Sequence, residues 1–274
     1  MSVSDKVSLG LVGYGSMGRA LALGTAASEP LRGVFAVSVY EKSAANAEAA
    51  LSAGFPVAGS AAELAAASDF ILIAVKPHQV GAILEETAPR LTGDKVLLSI
   101  AAGITLDFLE QGIAGRCPVA RIMPNTPALV GRGIFGFCFG RGVPGPAREK
   151  IRLLLGSLGM AAELEEAGMN AFTALSGSGP GYVFHFMESL AEAGASVGLD
   201  RELSRNIAVE LLRGCAEMAA AAGVHPAVLR EQVSSPAGTT LAGLNHLDRS
   251  GARGILVDAI RAAFERSKAM EKET

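Results

Sequence analysis

The hydrophobic positions in the first half of the chain form short apolar runs, separated by alanine-rich stretches. Consecutive apolar positions are typical of strands covered on both faces, and they occur at residues 7–12, 35–40, 70–75, 96–100 and 119–123. The stretches between them predict helices over residues 17–27, 44–53, 61–67, 80–89 and 105–111. This alternation predicts parallel strands joined by right-handed helical crossovers.

The pattern then changes from α/β to helical. Residues 131–143 are punctuated by glycine and predict a further strand or two, followed by a helix over 147–158. From about residue 166 onward apolar residues recur at helical spacing, and Pro226 is placed as the first-turn proline of a short helix ending near residue 233. A last helix is expected after Gly254. We therefore expect an α/β domain with a doubly wound parallel sheet over residues 1–165, and an all-helical domain over 166–274.

Composition and charge exclude several classes of protein. The formal net charge of −3 provides no basic field for nucleic acid or an anionic membrane. The start of the chain lacks the pattern of a signal peptide, and no run is apolar enough to cross a bilayer, so we expect a cytoplasmic protein. Its composition is that of a globular protein, and we expect disorder only at the chain ends, residues 1–6 and 270–274. The cysteines and histidines are scattered, which indicates free thiols and no metal site; they are Cys117, Cys138, Cys215, His78, His185, His225 and His246.

A glycine motif follows the first predicted strand and opens the first predicted helix. Its residues are Gly13, Tyr14, Gly15, Ser16, Met17 and Gly18, the glycine-x-glycine-x-x-glycine spacing of dinucleotide-binding folds. The first glycine permits a tight turn, the second lets a pyrophosphate approach the backbone, and the third lets helix and strand pack closely. The helix N-terminus adds free N–H groups. The motif in this context predicts a Rossmann-type nucleotide site, the alternative being a glycine-rich turn without a ligand.

The end of the second predicted strand bears on the choice of coenzyme. A carboxylate there favours NAD by accepting hydrogen bonds from the ribose 2′-hydroxyl, whereas a cation favours the 2′-phosphate of NADP. The chain places Glu41 and Lys42 side by side, so the pattern leaves both coenzymes open. An ordinary exposed loop position is the alternative for Glu41.

Two more loops lie at the carboxyl ends of predicted strands, where parallel sheets bind ligands. One contains Lys76 and Pro77; Lys76 is either a ligand-facing residue or a solvated surface residue. The other places Asn125 and Thr126 between two prolines, a rigid polar turn suited to a carboxamide or a ribose.

The helical half contains two small-residue, hydroxyl-rich segments, Ala-Leu-Ser-Gly-Ser-Gly-Pro-Gly-Tyr at 174–182 and Ser-Ser-Pro-Ala-Gly-Thr-Thr at 234–240. With Val-Lys-Pro at 75–77 and Met-Pro-Asn-Thr-Pro at 123–127, they resemble the pyrroline-5-carboxylate reductase family, in order and across nearly the whole chain. The resemblance implies the last step of proline biosynthesis, in which a hydride passes from NADPH, with NADH also open, to the cyclic imine of 1-pyrroline-5-carboxylate.

The resemblance also implies roles for individual residues. The cofactor positions are the glycine motif, Glu41, Lys42, Ala74, Val75, Lys76, Pro77 and Asn125, with Ala102 near the nicotinamide. The substrate positions are Ser178, Gln232, Ser234, Ser235, Ala237, Gly238, Thr239 and Thr240. Thr240 is the catalytic candidate, because its hydroxyl is expected to meet the imine nitrogen without adding a full charge; the alternative for Thr239 and Thr240 is a helix N-cap. A homodimer with a shared pocket is implied, and a decameric ring of dimers is left open.

Three positions depart from the family pattern. Ala237 stands where the family usually has the first of two glycines, so its methyl group is expected either to narrow the pocket or to exclude a positive φ. Gln232 stands in place of the usual asparagine, and Ala61 follows Ser60 where the family often has a polar asparagine near the ribose. All three positions are expected to face a ligand, so we expect these departures to bear on substrate preference and affinity.

Two other functions share part of this sequence pattern. A β-hydroxyacid dehydrogenase shares the glycine motif but requires a lysine on the first long helix of its second domain, and residues 170–222 contain no lysine. A dinucleotide-sensing regulator without turnover is expected to lose the hydroxyls of the second site, whereas Ser235, Thr239 and Thr240 are all present.

Overall fold

The computed structural model describes residues 6–273, and in this part of the chain the first half forms a seven-stranded sheet with helices on both faces. The strands are β1 (Val7–Val12), β2 (Phe35–Tyr40), β3 (Phe70–Ile73), β4 (Val96–Ser99), β5 (Val119–Met123), β6 (Gly133–Phe139) and β7 (Gly159–Glu163). The helices between them are α1 (Ser16–Ala27), α2 (Glu29–Val34), α3 (Ala44–Ser52), α4 (Ala61–Ala67), α5 (Val80–Thr87), α6 (Leu106–Gly112) and α7 (Gly145–Leu158).

The strand order is β2-β1-β3-β4-β5-β6-β7, with every neighbouring pair parallel except β5 and β6. Successive side chains of a strand point to opposite faces, so β3 and β4 supply two hydrophobic cores. Leu72 and Leu98 pack on the face covered by α1 and α7, whereas Ile73 and Leu97 pack on the face covered by α4, α5 and α6. The expected doubly wound α/β fold is confirmed.

Two elements of the sheet domain were not predicted. Helix α2 is only six residues long and contains Pro30, and strand β7 has the helix-favouring sequence Gly-Met-Ala-Ala-Glu. Strand β7 forms because it pairs with β6 from Gly133 to Phe137, so tertiary pairing overrides local propensity. The predicted strand 70–75 ends at Ile73 and leaves Ala74 and Val75 in the following loop.

The rest of the chain is helical. A short helix α8 (Met169–Phe172) and a π-helical turn (Thr173–Gly177) precede the longer helices. These are α9 (Gly179–Ser196), α10 (Arg201–Ala222), α11 (Pro226–Gln232), α12 (Thr239–Arg249) and α13 (Ala252–Glu273).

The chain forms two compact units. The first unit comprises Met1–Ser178 with Ala263–Thr274, and the helical unit comprises Gly179–Ala262. This division falls later than the expected one at 165/166, and it assigns the end of α13 to the first unit. Disorder was expected at residues 270–274, but α13 continues through Glu273, so that expectation is wrong for 270–273. The N-terminal expectation for residues 1–5, and residue 274, lie outside the described residues.

Burial keeps two of the cysteines in the protonated thiol form. Burial raises the pKa of the Cys117 thiol to about 11 and that of Cys138 to about 12, so both remain protonated near neutral pH. Across residues 6–273 no group of three or more His, Cys, Asp or Glu side chains is placed to hold a metal ion. No helix in this range has the length and hydropathy needed to cross a membrane.

Candidate active site

The glycine loop between β1 and α1 has the geometry that its sequence predicts. Gly13 has φ +103° and its N–H donates to the Tyr40 carbonyl at 2.8 Å, which joins the loop to the end of β2. A Cβ on Gly18 would lie 2.1 Å from the Gly13 carbonyl oxygen, so only glycine allows this close approach of helix and strand. A Cβ on Gly15 would meet no protein atom within 4 Å. The space above Gly15 is therefore open to a ligand.

The start of α1 leaves its N–H groups available. Gly15 is the N-cap residue and no side chain caps the helix, while Ser16 is exposed beside it. Uncapped N–H groups and the helix dipole together favour a phosphate at this position. Open space over Gly15 and free N–H groups fit the pyrophosphate of a dinucleotide. Met17 is only half-buried and packs against the core.

Tyr14 takes part in the loop through its backbone, while its side chain lies in the core. The ring is 2% exposed and contacts Phe55 edge-on, with 6.0 Å between centroids. Its hydroxyl has no hydrogen-bond partner among the described residues, and burial raises the pKa of the phenol. The buried side chain therefore anchors the glycine loop to the hydrophobic core.

Glu41 links the glycine loop to the start of α3. One carboxylate oxygen accepts from the Tyr14 N–H at 2.6 Å, and the other accepts from the Ser43 N–H at 2.8 Å. Lys42 is exposed next to it. The sequence did not reveal this bridge, because its partners are backbone groups. The carboxylate thus holds the glycine loop against the loop before α3, and its oxygens keep lone pairs that can accept from a ligand hydroxyl.

The loop after β3 runs beside the glycine loop. The Ala74 N–H donates to the Val12 carbonyl at 2.8 Å, and a Cβ on Gly13 would lie 2.8 Å from the Ala74 carbonyl oxygen. Pro77 starts a short 3₁₀ turn in which the Gln79 side chain accepts from the Lys76 N–H at 3.1 Å. Val75 and Pro77 are half-buried and Lys76 is exposed. Gln79 was not predicted, although a polar residue three positions after an N-cap is a signal of capping.

Asn125 is buried and its amide is bound within the protein. Its Nδ2 donates to the Ser176 carbonyl at 3.2 Å, and its Oδ1 accepts from the Ile134 N–H at 2.8 Å. The side chain thus braces the loop after β5 against the π-helical turn, a rare conformation found mostly at functional sites. The Ser178 N–H donates to the Thr173 carbonyl at 2.9 Å and closes that turn. Ala102, in the loop after β4, is half-buried between two buried neighbours.

The hydroxyl-rich segment forms a tight turn in the helical unit. The Gly238 N–H donates to the Ser235 carbonyl at 3.0 Å, and Ala237 has φ +56°. The methyl group therefore does not exclude the positive φ, although this conformation costs an alanine about 1–2 kcal/mol. Gly238, half-buried, is the N-cap of α12, so Thr239 and Thr240 are its first two residues instead of its cap. Both threonines are exposed, and their N–H groups have no acceptor within the helix.

The residues before this turn complete the predicted set. Gln232 is the last residue of α11 and is exposed, as is Ser235. The Ser234 hydroxyl donates to the Arg230 carbonyl at 2.6 Å and is half-buried. Ser234 therefore acts first as a cap of α11, and it retains the capacity to accept a further hydrogen bond.

The helical unit leaves a large apolar surface uncovered. Between residues 179 and 262 only Ser204 and Ala208 are buried. Large apolar side chains at helical spacing are exposed instead; on α9 and α10 they include Val183, Phe184, Phe186, Leu190, Leu203, Ile207 and Leu211. Contiguous exposed apolar surface of this kind marks a site of protein association.

Comparison with known proteins gives matches over both halves of the chain. Residues 166–270 match the family model described as pyrroline-5-carboxylate reductase dimerisation, and residues 8–103 match the model described as NADP oxidoreductase coenzyme F420-dependent. The pyrroline-5-carboxylate reductase of Pisum sativum is 37% identical over 266 residues, covering 97% of each chain.

Solved structures of similar proteins agree with this result. Plasmodium falciparum pyrroline carboxylate reductase with NADP bound has a TM-score of 0.87 and 34% identity, covering 97% of this chain and 99% of that one. A pyrroline-5-carboxylate reductase from Coxiella burnetii has a TM-score of 0.88 and 28% identity, with 97% and 98% coverage.

Proposed function

Because this chain belongs to the pyrroline-5-carboxylate reductase family, we propose that it reduces 1-pyrroline-5-carboxylate to L-proline with NADPH or NADH. The observation that carries the proposal is the match along the whole chain, since it includes both the nucleotide-binding half and the helical half. The glycine loop supports it independently, because its open side at Gly15 fits a dinucleotide. Neither the β-hydroxyacid dehydrogenase alternative nor the sensing regulator has support among the matches described above.

The first unit holds the coenzyme in this proposal. The free N–H groups at the start of α1 bind the pyrophosphate, while Glu41 and Lys42 face the adenosine ribose. Residues 74–77, in the loop after β3, line the coenzyme site. Asn125 braces the loop after β5, and Ala102 lies near the nicotinamide. The bound coenzyme supplies the hydride, and the protein supplies position and electrostatics. The adjacent Lys42 favours NADPH by its charge.

The turn at 234–240 binds the substrate in this proposal. The Thr240 hydroxyl donates a hydrogen bond to the imine nitrogen, which makes the adjacent carbon more electrophilic. Free N–H groups at the start of α12 hold the substrate carboxylate, as helix N-termini hold anions. Gln232, Ser234, Ser235, Ala237, Gly238 and Thr239 form the floor around it, and Ser178 adds a further hydroxyl. The absence of charged side chains from this turn avoids competition for the carboxylate.

Self-association agrees with both the dimerisation match and the exposed apolar helices. We further propose that the helical domain, residues 166–274, forms a homodimer with a shared substrate pocket, and that dimers assemble into a decameric ring. Free buried thiols and the lack of a basic field support a cytoplasmic enzyme that binds neither nucleic acid nor membranes.

Coenzyme oxidation tests the proposed function directly. The purified protein is mixed with 1-pyrroline-5-carboxylate and either NADPH or NADH, the decrease in reduced-coenzyme absorbance is followed, and proline is quantified as product. We expect oxidation with at least one coenzyme, matched mole for mole by proline. No oxidation with either coenzyme would reject the enzyme assignment.

A further inference from the structure

The end of the last helix is fastened to the sheet by a buried guanidinium. Arg121 lies on β5, and its side chain is 4% exposed. Its Nη1 lies 3.2 Å from a carboxylate oxygen of Glu166, and its Nη2 lies 2.9 Å from one of Glu271 on α13. A buried charge requires such partners, because an unpaired charge removed from water is strongly destabilising. The guanidinium therefore joins two distant parts of the first unit.

Further hydrogen bonds extend this network along α13. The second carboxylate oxygen of Glu271 accepts from the Asn170 side-chain amide at 2.8 Å. The side-chain amide oxygen Oδ1 of Asn170 in turn accepts from the Ser267 hydroxyl at 2.6 Å, and both residues are buried. Ser267 and Glu271 are four residues apart and lie on one face of the helix. The pair sets both the rotation and the position of the helix end.

The same network reaches the loop after β4, residues 100–105. The Glu166 oxygen that contacts Arg121 also accepts from the Leu106 N–H at 2.7 Å, which fixes the far end of the loop. In its middle, Gly103 has φ +78°, and a Cβ there would lie 3.2 Å from Cβ of Met270. The loop backbone thus packs directly against α13. Ala102 is the half-buried residue next to this contact.

We propose that Arg121 and Glu271 are positioning residues. They hold the loop after β4, which contains Ala102, in place for the nicotinamide end of the coenzyme. The inference rests on the proposed function, in which Ala102 lies near the nicotinamide. Loss of the network removes the ion pair between α13 and β5 and loosens the packing of Met270 against Gly103. The glycine loop has no part in this network and keeps its own contacts. Nicotinamide binding is therefore expected to weaken while binding of the rest of the coenzyme is unchanged.

Two ligands distinguish this role from general stabilisation. One is NADPH, titrated by its fluorescence, and the other is 2′-phospho-ADP-ribose, the same nucleotide without the nicotinamide ring, titrated by calorimetry. For Glu271→Gln we expect the Kd of NADPH to rise about tenfold and the Kd of the fragment to stay unchanged. The matched control is Glu273→Gln on the same helix, because Glu273 pairs with the exposed Arg266 at 2.5 and 3.0 Å. The control is expected to change neither Kd.

A milder variant covers the case in which Glu271→Gln does not fold. Ser267→Ala removes one hydrogen bond and is expected to raise the Kd of NADPH roughly threefold, again without changing the Kd of the fragment. An unchanged Kd of NADPH in the folded variants overturns the proposal. Equal weakening of both ligands also overturns it, because the helix end then serves overall stability. Neither titration requires the imine, so failure of the proposed reaction appears separately, as absent turnover in the wild-type protein.

Discussion

Ala237 is a residue at which one methyl group affects both backbone energy and the substrate turn. Its φ of +56° is a conformation that alanine adopts only at a cost of about 1–2 kcal/mol. The turn tolerates this cost because the Gly238 N–H bonds the Ser235 carbonyl and α12 begins immediately afterwards. The sequence raised the question of whether alanine excludes this conformation, and the structure answers that it does not. Its effect on substrate preference stays a prediction.

Replacing Ala237 by glycine tests the strain. Ala237→Gly relieves about 1–2 kcal/mol of strain at the Cβ but adds freedom to the unfolded chain worth about 0.4–1 kcal/mol, so the free energy of unfolding should stay the same or rise by up to about 1.6 kcal/mol. The control is Ala242→Gly, at an exposed position within α12, where glycine should lower stability by about 1 kcal/mol. Urea unfolding at fixed protein concentration measures both. Equal destabilisation by the two changes would contradict the strain.

Thr240 is the residue on which the proposed chemistry depends. Thr240→Ala should lower kcat by about 10²-fold or more, because the hydrogen bond to the imine nitrogen is lost, while the KM for the coenzyme changes little. Thr240→Ser keeps the hydroxyl and should retain most of the activity. Steady-state kinetics with both substrates separate these effects. A Thr240→Ala enzyme with normal kcat would remove this side chain from the mechanism.

The glycine loop shows how an element acts through its backbone. In this loop, Gly18 is required for packing, whereas Gly15 borders open space. Its three glycine roles could be predicted from sequence because they are local: a turn, a phosphate approach and a helix–strand contact lie within six residues. The partners of Glu41 and Asn125 could not be predicted, because they are backbone groups brought together by the fold.

Gly15→Ala separates binding from folding within this element. Gly15 has φ −69°, and a Cβ there meets no protein atom within 4 Å, so the thermal midpoint should not fall. The methyl group should instead occupy space needed by the pyrophosphate and raise the Kd of NADPH about tenfold or more. Gly33→Ala in α2, also in open space, should leave that Kd unchanged. Fluorescence titration and thermal unfolding provide the measurements. Normal NADPH binding by Gly15→Ala would argue against a pyrophosphate site at the glycine loop.

Helix α13 and strand β7 show the limit of local patterns at the scale of elements. Chain ends are commonly poorly ordered, which predicts disorder at residues 270–274, yet Glu271 forms an ion pair with Arg121. A signal was present in β5, since an arginine within the apolar sequence Val-Ala-Arg-Ile-Met requires a partner. The sequence did not identify that partner, which lies 150 positions away. Strand β7 likewise forms through pairing with β6 despite its helix-favouring composition.

At the scale of the whole molecule, the helical unit is incomplete as a single chain. Residues 179–262 bury almost none of their large apolar side chains, whereas the first unit contains two well-packed cores. Surface of this kind is stable in water when another surface covers it. The dimerisation match over residues 166–270 supports self-association, and the covering surface that we propose is a second copy of the chain.

A charge introduced on the exposed apolar face of α9 tests whether the helical unit depends on association with a second subunit. Phe184 is 60% exposed, so Phe184→Asp should leave the fold of a single chain intact while disrupting the association of subunits, and it should abolish turnover. NADPH binding by the first unit should persist. The control is Leu51→Asp on α3, where the side chain is 58% exposed in the first unit. Analytical ultracentrifugation gives the assembly state, and a fully active Phe184→Asp monomer would refute the shared pocket.

The sequence by itself determined the mainly parallel sheet, the glycine loop and the change from α/β to helical architecture. These features follow from apolar periodicity and from glycine's steric freedom, which act over a few neighbouring residues. The hydroxyl-rich turn and the family were also visible in the sequence. Only the tertiary structure decided the pairing of β7, the bridge made by Glu41, the positive φ of Ala237 and the anchoring of α13. Each of these depends on groups that become neighbours only when the chain folds, and local sequence does not specify such neighbours.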